Sequence, residues 1–577
     1  MILPAGPVFS PREIPFSFCG SWFDFSPVVG EKTFARDIHL VSHQSGMHPI
    51  LRLIPTTAGA YAETSVTATP YLLTWRGDPG RIELAYEGED AVRMRGEGLG
   101  MRLLAADPVL TPFSGPYFYQ DPGDGSWVFT VYQTGRRYRV TVLAGRIADE
   151  LGVQSLGTAD RGIVLPDGGG PWELAIEEYE AARTPYASEN GFADVVAAAR
   201  TGFEEFRDAV APWRSDRTPA AELAAYVLWS ATVRPAGFVT RPAVLMSKHW
   251  MDKVWSWDHC FNAIALAGGR PDLAWDQFHL VFDHQDAAGA LPDSITHSEI
   301  LYNFVKPPIH GWALRHLWRP GQARRPRDGD PGEVYRRLAR WTSFWLTARR
   351  ASGHELAHYQ HGNDSGWDNA TTFDPERVVV TADLAAFLVL QMRELARLAG
   401  ALAKPDASAR WSLAADRMRE AMLGELWSGD RFVARGARSG RTWSSSSLLD
   451  LMPIVLGEEL PEPVRATLAA RIEAHLTAFG LATELPTSPH YQDDGYWRGP
   501  VWAPPTVLIE DGLRRAGYPD LADDISARYR ALCEKSGFAE NFDARSGIGL
   551  RDRAYTWTAS AYLILAAAHE SRVAGGG

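Results

Sequence analysis

Three cysteines in 577 residues (Cys19, Cys260, Cys533) are too few for a disulfide-built scaffold, and their scatter excludes a cysteine metal site. They fit a reducing compartment. No run of about 18 apolar residues occurs, so no segment is expected to span a membrane. The first residues, Met1-Ile-Leu-Pro-Ala-Gly-Pro, have neither a charged n-region nor an apolar h-region. No signal peptide is visible there, and a cytoplasmic protein is the expectation. Positive charge is in deficit. The chain has 58 Lys and Arg against 70 Asp and Glu, a net charge of −12, with no basic stripe. Phosphate neutralisation needs clustered Lys and Arg, so nucleic acid is not an expected partner. No loop shows the ligand spacing of a calcium site.

Aromatic residues, by contrast, are abundant, at 11% of the chain with 21 Trp. Sugars present flat C–H faces that stack on indoles, so the excess points toward carbohydrate, although most of these rings are expected to fill core. The length suits two or three domains. Residues 1 to about 185 carry short alternating runs, at 63–69, 81–86, 91–95, 126–132, 138–143 and 172–177. Turn signals such as Gly123-Asp124-Gly125 and the run 166–170 separate them, which indicates an antiparallel sandwich. From Phe192 the pattern becomes helical, with runs at 193–210, 219–233, 273–286, 332–351, 381–401, 407–426, 463–479, 501–517, 521–535 and 555–569. Roughly a dozen helices without a fixed repeat suit an α/α toroid better than a solenoid. The expected architecture is therefore an N-terminal antiparallel β-sandwich, residues 1–188, followed by a C-terminal (α/α)6 barrel, residues 189–577. In a toroid, chemistry belongs on the loops that cap the inner ring.

Five loop-like segments carry polar and aromatic residues at odds with core filling. Trp255-Ser256-Trp257-Asp258-His259 leads into a helix, and Asp258 fits a helix N-cap as well as a sugar-hydroxyl contact. In the segment 284–294, Gln285 and Asp293 are candidate hydroxyl binders, or capping residues of a turn. Gly362-Asn363-Asp364-Ser365-Gly366-Trp367-Asp368-Asn369 holds two aspartates. Asp364 suits a bond to loop amides, whereas Asp368 lies beside Trp367, whose ring would desolvate it and raise its pKa as an acid requires. In Gly495-Tyr496-Trp497-Arg498-Gly499-Pro500-Val501-Trp502, Pro500 reads as a first-turn proline, and Arg498 stands between aromatics where it could bind substrate or orient a carboxylate. Glu540, in Phe538-Ala539-Glu540-Asn541-Phe542, follows a Gly537 C-cap. An isolated loop Glu is ordinarily just solvated. His354-Glu355-Leu356-Ala357-His358 matches a zinc-binding pattern, but Gly353 precedes it, the preceding helix is expected to stop near Arg350, and the extended pattern is absent.

Together the five segments resemble the α/α-toroid glycosidases of clan G: glycoside hydrolase family 63 and, more distantly, the family 37 trehalases. The resemblance covers roughly residues 235–570. Trp257-Asp258 is similar to the tryptophan–aspartate pair of the first active-site loop. The segment 361–369 is similar to the acid segment, whose second aspartate, the proton donor, falls on Asp368. Residues 497–502 are similar to the W-R-G-P-x-W loop, and Glu540-Asn541-Phe542 to the segment carrying the general base. The resemblance implies an inverting α-glycosidase acting on a small α-glucoside-type disaccharide, oligosaccharide or glycosyl-glycerate. Asp368 would protonate the glycosidic oxygen, and Glu540 would deprotonate a water. The two carboxyls would stand about 6.5–9.5 Å apart. It further implies that Trp257, Trp367, Trp497 and Trp502 line the subsites, that Asp258, Asp364, Gln285 and Arg498 contact substrate, and that no organic cofactor is needed; the family admits a calcium ion, but no metal ligands are picked out in this sequence. A non-catalytic carbohydrate-binding toroid and an inverting phosphorylase are the alternatives.

Overall fold

A computed structural model describes residues 6–168, 170–318 and 330–575. Residues 1–5, where a leader would begin, and Gly169 of the expected 166–170 turn lie outside them.

Alternation places six of the expected runs in one eight-stranded antiparallel sheet. Its order is Pro116–Gln120, Trp127–Val131, Arg136–Ala144, Trp172–Tyr179, Ala91–Glu97, Arg81–Tyr86, Leu72–Arg76, Ser65–Thr69. Leu73, Leu84, Met94 and Leu174 stand opposite one another across four of its strands and are fully buried. Each such side chain contributes roughly 1.5–3 kcal/mol. They share one core with Leu51, Leu53, Met101, Leu103 and Ile163 of a seven-stranded sheet. That sheet runs Phe23–Gly30, Thr33–Ser42, His48–Thr57, Gly100–Ala105, Gly162–Leu165, Asp149–Leu151, with Ala60–Tyr61 paired to the third.

Twelve α-helices are described after the sandwich: α1 (Phe192–Val210), α2 (Ala221–Ala231), α3 (Asp258–Leu266), α4 (Pro271–Asp283), α5 (His310–Leu317), α6 (Pro331–Thr347), α7 (Ala382–Ala401), α8 (Pro405–Leu426), α9 (Glu462–His475), α10 (Ala503–Arg515), α11 (Pro519–Ser536) and α12 (Thr556–Gly575). A 3-10 segment, Leu448–Glu459, completes the barrel. Contacts run α3 to α5 to α7 to the 3-10 segment to α10 to α12 and back to α3, which closes an inner ring of six. The others except α1 pack outside it, and α1 joins α2 to the strands Arg81–Tyr86 and Ala91–Glu97. Sequence dictates the layer. Helix α7 is buried nearly all round, whereas α8 buries only a stripe, Ala407, Ala415, Met418, Met422 and Leu426. Pro453 lacks an amide hydrogen and Gly457 leaves helical geometry (φ 58°, ψ −127°), so the sixth inner wall is a 3-10 segment. Residues 354–358 are not helical, so His354 and His358 do not share the helix face that the zinc pattern needs. Among the described residues no helix is long and apolar enough to cross a membrane.

Candidate active site

Each of the five segments lies in the stretch that precedes an inner-ring helix, α3, α5, α7, α10 and α12 in turn, and the first and fourth run straight into theirs. They therefore gather at the N-terminal end of the ring, where helix dipoles favour negative charge. They are stitched into a circle. Trp255 pairs with Ser294. Lys306 Nζ donates to Asn363 O at 3.0 Å, and Val305 N to Asp364 Oδ1 at 3.0 Å. Asn369 receives Trp497 N at 2.9 Å and donates to Gly495 O at 3.0 Å. Val501 and Phe542 exchange backbone bonds of 2.7 and 3.0 Å. Thr556 N closes the circle on Met246 O at 2.9 Å. Only glycine fits where the third segment crosses the first. Gly366 has φ 74°, and a Cβ there would meet the Trp257 ring at 2.6 Å.

The circle encloses a cluster of carboxyls. Asp368 has a side chain 28% exposed, with Oδ1 unpartnered and 4.0 Å from Lys306 Nζ. Burial raises its pKa above the ordinary value against the pull of Lys306. Glu540 lies deeper, 1% exposed, with Oε2 unpartnered. Its backbone N donates to Asp552 O at 2.7 Å. Burial first, then the negative charges of Asp552 and Asp368, push its pKa to about 8, with Arg551 opposing. Asp258 is also pushed to about 8 by burial, with Lys306 and its own backbone amide opposing and Asp293 and Asp368 adding to the rise. Asp258 is the first residue of α3, no side chain caps that helix, and its Oδ2 is unpartnered, so the N-cap role does not hold. Lys306 is the cation of the cluster, 3.2 Å from Asp293. Burial works against its charge, but Asp368, Asp293 and Asp258 outweigh it and raise its pKa.

Several expected substrate contacts are corrected. Asp364 is buried and fully engaged, Oδ1 by Val305 N and Oδ2 by Arg349 at 2.7 Å and Gln360 N at 2.8 Å, so it braces the loop. Arg498 is drawn down onto the third segment, Nε to Asn369 O at 2.7 Å and its fork to Asp374 at 2.5 Å. Gln285 donates to Gly289 O and Arg337 O, which ties the end of α4 to α6. Trp257, Trp367, Trp497 and Trp502 are buried beneath the cluster instead of lining it with open faces. Trp497 and Trp502 stack at 4.0 Å between centroids, Trp367 lies 4.8 Å from Trp497, and Trp557 meets Trp502 edge-on at 5.4 Å. Trp255 keeps part of its surface open.

Lys306, Asp552, Tyr496 and Tyr555 are the residues that sequence reasoning missed. Tyr496 holds a left-handed backbone (φ 62°), and its ring lies 4.9 Å from the Arg551 guanidinium. Burial, then Glu540 and Asp368, raise its hydroxyl pKa well above the ordinary value. Burial and Glu540 do the same to Tyr555. Both hydroxyls stay neutral beside Glu540.

A barrel of six helix pairs carries these carboxyls on its cap, and the family comparison gives the class, a glycoside hydrolase. The chain matches the family described as mannosylglycerate hydrolase MGH1-like glycoside hydrolase domain over residues 251–558, more than half its length, and it belongs to that family. It is 24% identical over 419 residues to a mannosylglycerate hydrolase of Rubrobacter radiotolerans, covering 57% of this chain and 92% of that protein. It is similar at 21% identity and TM-score 0.52 to the structure of a GH63 mannosylglycerate hydrolase from Thermus thermophilus in complex with glucose, over 59% of this chain and 98% of that one. A bacterial glucoamylase complexed with acarbose shares the fold over 99% of this chain and 96% of its own, with TM-score 0.63 at 10% identity.

Proposed function

We propose that the chain is an inverting α-glycosidase of small α-glycosides, with residues 1–188 and 189–577 as its two domains. The foremost substrates are glycosyl-glycerates, the chemistry named in its relatives. Asp368 is the acid and Glu540 the base. One observation carries these roles. Lys306 stands beside Asp368, the group that must become an anion, while Asp552 stands beside Glu540, the group that must become neutral. Asp368 gives its proton to the glycosidic oxygen, and the ammonium at 4.0 Å stabilises the carboxylate left behind. Glu540 takes a proton from the water that attacks C1 on the opposite face. Burial favours its neutral product, which makes it a stronger base than an exposed glutamate. Asp258 accepts a hydrogen bond from a sugar hydroxyl, and Trp255 supports the sugar face.

The test is release of free sugar from mannosylglycerate, glucosylglycerate and a panel of α-linked disaccharides by wild-type, Asp368→Asn and Glu540→Gln proteins. Turnover of one panel member by the wild type alone supports the reading. A variant that keeps wild-type turnover removes that residue from its role.

A further inference from the structure

The seven-stranded sheet carries polar residues where a sandwich would bury apolar ones. Asp24 and Ser26 of its first strand are fully buried, as is His43, just past the end of its second. His43 faces residues 247–252, the strap that precedes the first active-site segment. His43 donates to Asp24 at 2.6 Å and lies 3.4 Å from Asp252. Burial disfavours its charge, but the two aspartates outweigh it and push its pKa to about 9. Lys248, also buried, donates to Ser17 Oγ at 3.0 Å and Ser21 O at 2.7 Å in the N-terminal segment that leads into the sheet.

The other side of the same strap grips Asp552. Ser247 Oγ and His249 Nδ1 lie 3.0 and 3.1 Å from Asp552 Oδ1, and Ala554 N donates to the same oxygen at 3.0 Å. Ser247 Oγ in turn receives His249 N at 2.9 Å. Alternate residues of the strap thus point opposite ways, Lys248 and Asp252 toward the sandwich and Ser247 and His249 toward Asp552. Asp552 then holds Glu540 through its carbonyl.

We propose that the β-sandwich seats the catalytic base: it fixes the strap 247–252, which fixes Asp552, which sets the position of Glu540, with Lys248 and His249 as positioning residues. This rests on Glu540 being the base. Lys248 ties the strap to the N-terminal segment and His249 ties it to Asp552, and displacement of a reacting group by about 1 Å costs about a hundredfold in rate.

The experiment uses the full chain, the α-glycoside it turns over best, and three variants. His249→Gln loses the Nδ1 donor, His249→Asn keeps an amide at that place, and Lys248→Met keeps the length of the side chain without the charge. Expected for His249→Gln and Lys248→Met is a ten- to hundredfold lower kcat with KM within twofold of wild type. Azide, a nucleophile that needs no deprotonation, restores turnover as the β-glycosyl azide. His249→Asn keeps most of the wild-type kcat. Should Lys248→Met fail to fold, the two His249 variants decide. A kcat within twofold of wild type in His249→Gln, or a loss that azide does not answer, overturns the proposal. Glu540→Ala separates the two levels. If it retains turnover, the assignment of the base fails. If it is inactive and answers azide while His249→Gln behaves as wild type, only the relay fails.

Discussion

Replacing Glu540 by Gln should separate activity from stability. Glu540 is 1% exposed, and its Oε2 has no partner. Its pKa rises from an ordinary 4.5 to about 8, chiefly through burial. The folded state therefore holds this proton more tightly than the unfolded chain does. The stability it contributes is complete below pH 4.5 and is lost as pH rises through 8. Each pH unit in that window removes about 1.4 kcal/mol, so the ionised carboxyl costs the wild-type fold on the order of 4 kcal/mol by about pH 9. Gln keeps the volume and cannot ionise. Glu540→Gln should gain on wild type steadily from about pH 5 to pH 9, by on the order of 4 kcal/mol, while losing about a thousandfold or more in turnover. Other buried groups, Asp258 and Lys248 among them, are present in both proteins and cancel in the difference. The assay is urea unfolding of both proteins at half-unit pH steps, with sugar release measured alongside. A stability difference that stays flat across this range refutes the argument, because it would mean that Glu540 ionises without penalty.

Asp368→Asn should lose several orders of magnitude in kcat on a sugar leaving group and far less on a glycosyl fluoride, whose departure needs no proton; equal losses on both would deny Asp368 the acid's role. Lys306→Met removes the cation 4.0 Å from Asp368, an attraction of about 4 kcal/mol at an effective dielectric of 20. The limb of the pH–rate profile that belongs to Asp368 should move to higher pH and kcat should fall, and an unmoved profile would deny the pairing. The wild-type profile of kcat/KM should be bell-shaped with one limb near pH 8, set by Glu540. Asp552→Asn, which removes a neighbouring negative charge, should bring that limb down, and a limb left in place would contradict the electrostatics.

Legibility in the sequence followed exposure. The first four residues of Arg81–Tyr86 alternate between open and buried positions, so that strand is easy to read. Phe23–Gly30 is buried on both faces for six of its eight residues, so its pattern mixes Asp24 and Ser26 with Phe23, Phe25 and Val28. Amphipathic helices were read to within a turn or two of their ends. The 3-10 wall was not, because Pro453 interrupts a run that is apolar on every side. In the site, Asp368 and Glu540 stood out as carboxyls among aromatics and amides. Asp552 did not, since Arg551-Asp552-Arg553 reads as a solvated charge run, although its aspartate is fully buried. Lys306 hid in the turn-like Asn303-Phe304-Val305-Lys306-Pro307. The tryptophans stood out too, but in the wrong role. Those nearest the motifs form the floor, a stack that positions loops, because each indole is covered by the next.

Proton NMR of the anomeric region during the first minutes of hydrolysis tests the central claim most directly. An α-glycoside that yields the β-anomer first, with the α-anomer appearing only at the rate of mutarotation, is the result expected of Asp368 and Glu540 acting on opposite faces of the sugar with a water between them. Release of the α-anomer first would contradict it, since retention requires a carboxylate that attacks carbon and not one that deprotonates water.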